Sequence, residues 1–229
     1  MQKIVGLFLA FLLCACTNES IGYKYLGKKY EISPLGEGYG YDSDPLIRHD
    51  AFDCTTFVET ALARGDIEKL NRIRYFDAKP DFLSRNHFIE SDWITHNADL
   101  VENVSSLYGQ TKTRFVAIDK KSWLKNVHNI DSKFPIRHVN LEYLPYSSFD
   151  AINNTSDLIV LFIVGKPKKI DTIGTDLAVV HMGFLLPGGK ILRHASSAHG
   201  CVMDTDFDEY IANRKQNKNN IGIVLLRIK

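Results

Sequence analysis

Cys54 is the residue best placed for nucleophilic chemistry in this chain of 229 residues. It follows Asp53, a good helix N-cap, and precedes apolar residues at helical spacing that begin with Phe57, with Gly65 as the stop. The pattern therefore predicts a helix whose first turn contains the cysteine. There, unpaired backbone N–H groups and the helix dipole favour a thiolate, which would lower the pKa of the sulfur. The alternative is a small buried hydrophobe, because free cysteine is often buried.

Two histidines, His181 and His194, lie in apolar segments separated by Pro-Gly-Gly-Lys at residues 187–190. This spacing predicts a β-hairpin. If Gly188 and Gly189 form the turn, His194 lies opposite Gly183 and diagonal to His181; a loop starting one residue earlier puts the two histidines face to face. Either register brings both rings to one face of the sheet, and Gly183 would leave open space for a substrate. Two unrelated sheet histidines are the alternative.

The elements that must position these residues change character along the chain. Residues 66–73, 81–104, 122–127 and 147–153 are predicted to be mostly helical, and residues 114–118, 157–164, 177–186, 190–196 and 221–228 to be strands. Helices followed by strands, with hairpin spacing between two of them, predict an α+β domain with helices packed on an antiparallel sheet.

The N-terminal residues indicate export. Lys3 precedes an apolar run that ends near Leu13, too short to span a membrane and typical of a secretory signal. The run ends in Leu-Cys-Ala-Cys, which resembles the lipobox of bacterial lipoproteins and implies cleavage before Cys16 and its lipidation. Thr17 stands where an aspartate would suggest the inner membrane, so the resemblance implies the periplasmic face of the outer membrane. An ordinary signal cut near Ala15 is the alternative.

Composition and cysteine count limit the number of domains, the class of partner and the state of the thiols. With residues 1–15 as signal and 16–30 as a tether, residues 31–229 fit one domain, expected to be a monomer. The net charge of +1 gives no argument for nucleic acid or for an anionic membrane surface. Cys14 leaves with the signal, so Cys54 and Cys201 remain in the folded body. We expect two free thiols; a disulfide between them is the competing account.

Three motifs carry a family resemblance. Residues 53–58 (Asp-Cys-Thr-Thr-Phe-Val), 181–184 (His-Met-Gly-Phe) and 194–197 (His-Ala-Ser-Ser) are similar to the ordered motifs of NlpC-type papain-like cell-wall hydrolases. Residues 73–75, 84–88 and 92–94 resemble more closely the N-acetylmuramoyl-L-alanine amidase-like family within that superfamily. The resemblance runs from about Ile32 to the C-terminus and implies a papain-like NlpC-type fold. Thr55 departs mildly from the serine that often follows the nucleophile.

The resemblance implies a role for each catalytic candidate. Cys54 would be the nucleophile, His181 the base that takes its proton and later protonates the leaving amine, and His194 the residue that orients His181. The Cys54 backbone N–H would donate to the oxyanion, and the hydroxyl of Tyr39 or Tyr41 could assist, although exposed loop aromatics are the plainer interpretation of both tyrosines.

The resemblance also implies substrate contacts at Arg85, His87, Asp92, Trp93 and Ser196. Trp93 could stack on a sugar and Arg85 could meet a carboxylate. The alternative is a core tryptophan and a structural ion pair between Arg85 and Asp92. His49, His96, His128 and His138 lack a partner pattern and are interpreted as surface or structural residues.

These assignments predict a cysteine hydrolase that cuts an amide in peptidoglycan or its muropeptide fragments, without a cofactor. The bond between N-acetylmuramic acid and L-alanine is favoured; an endopeptidase cutting L-Ala–D-Glu or D-Glu–diaminopimelate, or an inactive peptidoglycan-binding protein, is the alternative. A zinc hydrolase built from His181, His194, His199 and Cys201 would lack the usual close ligand spacings.

Overall fold

A large, mostly antiparallel sheet organises the chain in a computed structural model that describes residues 20–167 and 170–229. In those residues the strands are β1 (Lys29–Tyr30), β2 (Ala51–Phe52), β3 (Val101–Asn103), β4 (Lys112–Ile118), β5 (Arg137–Pro145), β6 (Leu158–Val164), β7 (Val179–Leu185), β8 (Ile191–Ser196), β9 (Cys201–Asp206) and β10 (Asn220–Ile228). Their order is β2-β1-β9-β8-β7-β6-β10-β5-β4, with β3 also beside β10. The β1–β2 pair is parallel. The result is a mixed α/β fold.

Helices cover both faces of this sheet. They are α1 (Cys54–Ala63), α2 (Ile67–Arg74), a π-helical turn (Ile89–Trp93) that continues into α3 (Ile94–His96), α4 (Lys120–His128), α5 (Ile170–Ile173) and α6 (Phe207–Lys215). The predictions of helix over 81–104 and 147–153 are wrong beyond the short segment at 89–96. Residues 81–88 form turns instead, because the Asp81 carboxylate accepts the N–H groups of Leu83 and Ser84.

Strand β6 shows how the sheet separates two cores. All seven of its residues are buried. Ile159, Leu161 and Ile163 pack into the core under α1, whereas Val160 and Phe162 pack into the core under α6. Because successive side chains of a strand point to opposite faces, a strand covered on both sides reads as a continuous apolar run. Because both faces of the sheet are covered here, a substrate can reach the catalytic candidates only at a place where the helices leave the sheet uncovered.

Helix α1 begins where the sequence predicts. The Asp53 carboxylate accepts the Thr56 N–H at 2.8 Å, and Thr56 Oγ1 accepts the Asp53 N–H at 3.0 Å. This reciprocal capping box satisfies two backbone donors that the helix start leaves unpaired. It fixes Cys54 as the first helical residue. The helix then buries Phe57 and Val58 against the sheet.

The predicted tether over residues 16–30 is too long. From Ser20 onward the chain belongs to the fold: Tyr25 is 2% exposed in the α1 core, and Lys29 pairs with both Ala51 and Cys201. The polar residues of this segment suggest a tether, but the burial of Tyr25 fastens the segment to the fold. The signal and the Cys16 lipidation site lie outside the described residues. Among the described helices, none has the length and apolarity needed to cross a bilayer.

Candidate active site

Cys54 and His181 line one cavity of about 240 Å³. The Met182 backbone N–H, next to His181 on β7, donates toward the Cys54 sulfur. Thr55 Oγ1 lies 3.9 Å from Sγ. Among the described residues, the sulfur makes no hydrogen bond with the His181 ring. The thiol and the imidazole thus share a cavity without being bonded, an arrangement common in enzymes before substrate binds.

His181 and His194 are joined directly. His181 Nε2 lies 2.7 Å from His194 Nδ1, and His194 Nε2 lies 3.2 Å from Thr205 Oγ1. Phe184 pairs with Arg193 in the hairpin, so His194 stands opposite Gly183 and diagonal to His181. This is the register expected for a turn at Gly188-Gly189. The prediction that both rings share one face is confirmed.

Gly183 does not provide space for a substrate, as the sequence suggested. A Cβ at this position would lie 2.8 Å from the Cβ of His194 and 2.8 Å from the Arg193 carbonyl oxygen. The space beside the Gly183 backbone is therefore taken by His194 itself. The glycine allows the two histidines to approach each other, since any side chain would push His194 away.

Burial keeps the candidate triad uncharged in the free protein. Burial, and next the Asp53 carboxylate, raises the pKa of Cys54 to about 12. Burial, then the charges of His194 and Arg214, lowers the pKa of His181 to about 3. Burial, then His199, lowers the pKa of His194 to about 4. The expected low thiol pKa is therefore wrong for the free protein: desolvation outweighs the helix start, and the capping carboxylate opposes the thiolate.

Aromatic side chains form one wall of the Cys54 cavity. His87, Phe88 and Trp123 line it, and the ring centroids of His87 and Trp123 lie 4.7 Å apart. His87 Nε2 is hydrogen bonded to the Phe82 carbonyl oxygen at 2.7 Å, and burial lowers the pKa of His87 well below its usual value. Sequence reasoning placed His87 in the site but missed Trp123. The visible signal for Trp123 was a lone tryptophan in a short polar helix.

Glu90 is a second residue that sequence reasoning missed. It is 3% exposed and lines the same cavity. Its Oε1 accepts the N–H groups of Ala178 and Val179, the latter at 3.4 Å. Burial raises the pKa of Glu90, against the effect of these donors. The carboxyl group therefore holds the start of β7, two residues before His181, against the turn that carries Glu90.

Trp93 cannot stack on a sugar. It is fully buried, and its Nε1 donates to Glu59 Oε1 at 3.1 Å. The Glu59 carboxylate in turn lies 3.3 Å from the Arg74 guanidinium, so this network belongs to the core. The core interpretation of Trp93 is the correct one, because a side chain with no exposed surface contacts no substrate.

Arg85 and Asp92 do not meet each other or the Cys54 cavity. Arg85 pairs with Glu37 and, at 2.8 Å, with Asp42. Asp92 pairs with Lys120 at 3.2 Å and with Arg137 at 3.4 Å. Both line a different cavity of about 580 Å³. Their charges are satisfied within the fold, so neither the substrate role nor the mutual ion pair is supported.

Tyr39, Tyr41 and Ser196 also lie outside the cavity. Tyr39 is 58% exposed and donates to the Pro80 carbonyl, and Tyr41 is 70% exposed beside Phe82. Ser196 Oγ bonds His199 Nδ1 at 3.0 Å, and Ser196 lines a separate concavity together with His194. These side chains are engaged by neighbouring turns, which the sequence alone could not reveal.

Tyr30, on strand β1, is a tyrosine near the sulfur that sequence reasoning missed, and Tyr210 on α6 is another. Burial, and next the proximity of Cys54 and Asp53, raises the pKa of Tyr30. Tyr30 pairs with Phe52, two residues before Cys54, which brings β1 to the start of helix α1. The local pattern around Tyr30 carries no sign of this pairing.

Cys54 and Cys201 are both free thiols, as preferred from the sequence. In residues 20–167 and 170–229, no three His, Cys, Asp or Glu side chains converge in a way that could hold a metal ion. His181 and His194 direct ring nitrogens at each other and at Thr205 rather than toward a shared point. The geometry gives a zinc site no support.

Comparisons with known proteins agree with this architecture. A family model described as N-acetylmuramoyl-L-alanine amidase-like matches residues 20–222. A Legionella pneumophila protein of known structure superposes with a TM-score of 0.80 at 22% identity, covering 91% of this chain and 86% of its own. An N-acetylmuramoyl-L-alanine amidase from Bacteroides uniformis superposes with a TM-score of 0.68 at 25% identity, covering 91% and 95%. No curated protein is similar enough to count as a match.

Proposed function

The chain belongs to the N-acetylmuramoyl-L-alanine amidase-like family, and from this premise we propose that it hydrolyses peptidoglycan amides with Cys54 as the nucleophile. The observation that carries the proposal is the arrangement around one cavity: a cysteine at a helix start and a histidine, His181, both line it, and His181 is bonded to His194 at 2.7 Å. A nucleophile, a base and an orienting group in this order are the parts that acyl transfer requires. The same arrangement supports an NlpC-type papain-like classification.

The first step forms a thioester. His181 Nε2 is committed to His194, so Nδ1 is the ring nitrogen left to exchange a proton with Cys54. The sulfur attacks the amide carbon as Nδ1 takes the thiol proton, and the carbonyl oxygen becomes an oxyanion. The Cys54 N–H makes no hydrogen bond to the described residues and is a suitable oxyanion donor; the Tyr30 hydroxyl is a second candidate. His181 then protonates the leaving amine as the C–N bond breaks.

The second step releases the acid. A water molecule attacks the thioester while His181 removes its proton, and the proton returns to the sulfur as the C–S bond breaks. Because the thiol and the imidazole are both neutral before substrate binds, ionisation of the sulfur accompanies attack. The charge separation then needs His194, which accepts a hydrogen bond from the His181 imidazolium and keeps its ring oriented.

The bond joining N-acetylmuramic acid to L-alanine is our proposed target. Trp123 and His87 give the Cys54 cavity an aromatic wall whose two rings are tilted by 52° to each other, and the face of an aromatic ring suits the apolar face of a sugar. Cleavage within the stem peptide, at L-Ala–D-Glu or D-Glu–diaminopimelate, would use the same triad. In that case a peptide residue rather than the sugar would lie next to the scissile bond, against the aromatic wall.

Digestion of defined muropeptides tests the proposal. Purified protein should convert a disaccharide dipeptide, GlcNAc-MurNAc-L-Ala-D-Glu, into disaccharide and dipeptide, detected by mass spectrometry, and Cys54→Ala should form neither. Release of D-Glu or of the disaccharide carrying L-Ala would indicate an endopeptidase instead. Cleavage only of a second substrate, extended by diaminopimelate, with release of diaminopimelate, would indicate the D-Glu–diaminopimelate endopeptidase. Binding to cell walls without any product from either substrate would indicate an inactive binding protein.

We further propose that the protein is a periplasmic lipoprotein anchored through Cys16. No helix in residues 20–167 and 170–229 is long and apolar enough to cross a membrane, so the lipid would provide the attachment. Cys16→Ala should release the protein from the membrane fraction. Continued membrane association of that variant, with an unlipidated N-terminus in the wild type, would contradict the anchor.

A further inference from the structure

A second concavity adjoins the Cys54 cavity at the histidines. We call it the α6 groove: about 750 Å³, lined by β9 and α6 and including His194, Tyr210, Asn213 and Arg214. Val180 and His181 line both the cavity and the groove. Cys54 lines only the cavity. A substrate can therefore extend across His181 from one concavity into the other.

The backbone of β7 is shaped for this passage. Its register with β6 shifts between the pairs Phe162–His181 and Ile163–Val179, which leaves Val180 as an extra residue. Val180 is consequently 42% exposed at the boundary of the two concavities. Such bulges bend a strand and redirect side chains, and they occur often beside active sites.

Arg214 is an unpaired cation in the α6 groove. Its Nε and Nη2 are enclosed without a hydrogen-bond partner, and its guanidinium lies 5.4 Å above the Phe162 ring. The hydroxyls of Tyr146 and Tyr210 are close enough to interact with it, but burial raises the pKa of both, so neither supplies a negative charge. Within residues 20–167 and 170–229, no carboxylate stands within ion-pair distance. Removing a guanidinium from water without an anionic partner lowers the free energy of unfolding of the protein.

The carboxylates that line the same groove are already engaged or face solvent. Asp204 binds Arg193 with both oxygens, at 2.7 and 2.8 Å. Asp206 caps α6 by accepting the Glu209 N–H at 2.8 Å, and the Glu209 side chain is exposed. Apart from histidine, Arg214 is the one cationic side chain among the described groove residues. It is therefore the group available to bind an anion that enters from outside.

We propose that the α6 groove takes the leaving, stem-peptide half of the substrate and that Arg214 binds its D-glutamate α-carboxylate. The inference rests on the proposed function. His181 must protonate the leaving amine, so the peptide beyond that amine continues past His181, away from Cys54. D-Glutamate follows L-alanine and is extended through its γ-carboxyl, which leaves the α-carboxylate free. One residue of extended chain spans about 3.5 Å, so this carboxylate follows closely behind the scissile amide.

A pair of substrates that differ in one group tests the inference. The substrates are GlcNAc-MurNAc-L-Ala-D-Glu and GlcNAc-MurNAc-L-Ala-D-isoglutamine, in which the α-carboxylate is an amide. Wild type should prefer the acid by about 10–100-fold in kcat/KM, the usual worth of a charge-assisted hydrogen bond. Arg214→Gln should remove most of that preference by losing activity on the acid alone. Arg214→Lys should retain part of it, and Lys215→Gln, an exposed change of equal charge on the same helix, should retain all of it.

The remaining outcomes are distinct. If wild type cleaves neither substrate, the proposed function itself fails. If wild type cleaves both at the same rate, or if Arg214→Gln and Arg214→Lys lose activity equally on acid and amide, Arg214 does not bind this carboxylate and the inference is overturned. Equal wild-type rates on the two substrates overturn the inference without any variant, and if Arg214→Gln does not fold, Arg214→Lys still tests whether the preference depends on this side chain.

Discussion

His181 Nε2 and His194 Nδ1 are 2.7 Å apart, and one proton must lie between them. If His181 Nδ1 is to accept a proton from Cys54, the His181 ring carries its own proton on Nε2 and donates it to His194. His194 then carries its proton on Nε2, directed at Thr205 Oγ1 3.2 Å away. The three groups form a chain with one direction, which fixes the tautomer of each ring.

This chain predicts unequal effects of substitution. His181→Ala should be nearly as inactive as Cys54→Ala, because a positioned proton-transfer group contributes about 10²–10⁴-fold. His194→Ala should lose less, and His194→Gln, whose amide oxygen can still accept the His181 proton, should recover part of the loss. Values of kcat/KM on a muropeptide measure these differences.

The double variant provides the control for this series. His181→Ala combined with His194→Ala should be hardly worse than His181→Ala alone, since an orienting residue then has nothing to orient. Additive losses, or a wild-type rate for His194→Ala, would place another residue in the orienting role.

Gly183→Ala should disable the site with little change elsewhere. The new Cβ would meet His194 Cβ and the Arg193 carbonyl oxygen at 2.8 Å, so His194 must move and its bond to His181 must lengthen. We expect at least a tenfold loss of kcat/KM with a small loss of thermal stability. Gly165→Ala is the matched control, because the tightest approach of its Cβ would be to the end of the Asn219 side chain at 3.3 Å, and the next, to Ile221 Cγ2 at 3.5 Å, is an ordinary contact. An active Gly183→Ala enzyme would show that the histidine contact is dispensable.

The features that the sequence predicts correctly are those set by neighbouring residues. The start of α1 follows from the cap at Asp53, and the register of the two histidines follows from Gly188 and Gly189, whose φ angles are both positive. In each case the deciding interaction lies within a few residues. The same kind of signal, Asp206 three residues before Glu209, also caps α6 and was overlooked.

The features that were missed depend on contacts between distant segments. Trp93 and Trp123 each lie in a short polar stretch, yet the fold buries the first in the core and leaves the second partly exposed on the cavity wall. Tyr30 reaches Cys54 through strand pairing, and Glu90 reaches the start of β7 from the π-helical turn, 89 residues earlier in the chain. Periodicity cannot report such contacts, because it records only which face of an element is apolar.

Acid should destabilise the protein through its buried histidines. Burial lowers the pKa of His181 to about 3 and that of His194 to about 4, below the ordinary 6.5. Between these values the unfolded chain binds more protons than the folded protein, so the free energy of unfolding falls as pH decreases below about 6.5. Each such proton contributes a slope of up to about 1.4 kcal/mol per pH unit. Between pH 7.5 and 4.5 the melting temperature of His181→Gln should fall less steeply than that of the wild type. The exposed control His138→Gln should show the same slope as the wild type. Equal slopes in all three proteins would contradict the buried, neutral histidine pair.

Cys54 should react slowly with iodoacetamide near neutral pH. Burial and Asp53 raise its pKa to about 12, so the alkylation rate should keep rising above pH 9 in a Cys201→Ser background. Asp53→Asn keeps a capping side chain but removes the negative charge, and it should shift the rise to lower pH. A rate that is already maximal at pH 6 would reveal a preformed thiolate–imidazolium pair, contrary to the neutral triad.

The two tryptophans should separate stability from substrate binding. Trp93→Leu removes a fully buried ring and leaves Glu59 without its indole donor, so it should cost about 3–5 kcal/mol of stability. Trp123→Leu keeps apolar volume on the cavity wall but loses the flat face, so KM for the disaccharide dipeptide should rise by about 3–10-fold while the melting temperature changes by a few degrees. Trp123→Phe should restore part of the affinity, because it restores an aromatic face. If Trp123→Leu instead leaves KM unchanged, the aromatic wall does not bind the sugar, and the proposed choice of the N-acetylmuramic acid–L-alanine bond loses its main support.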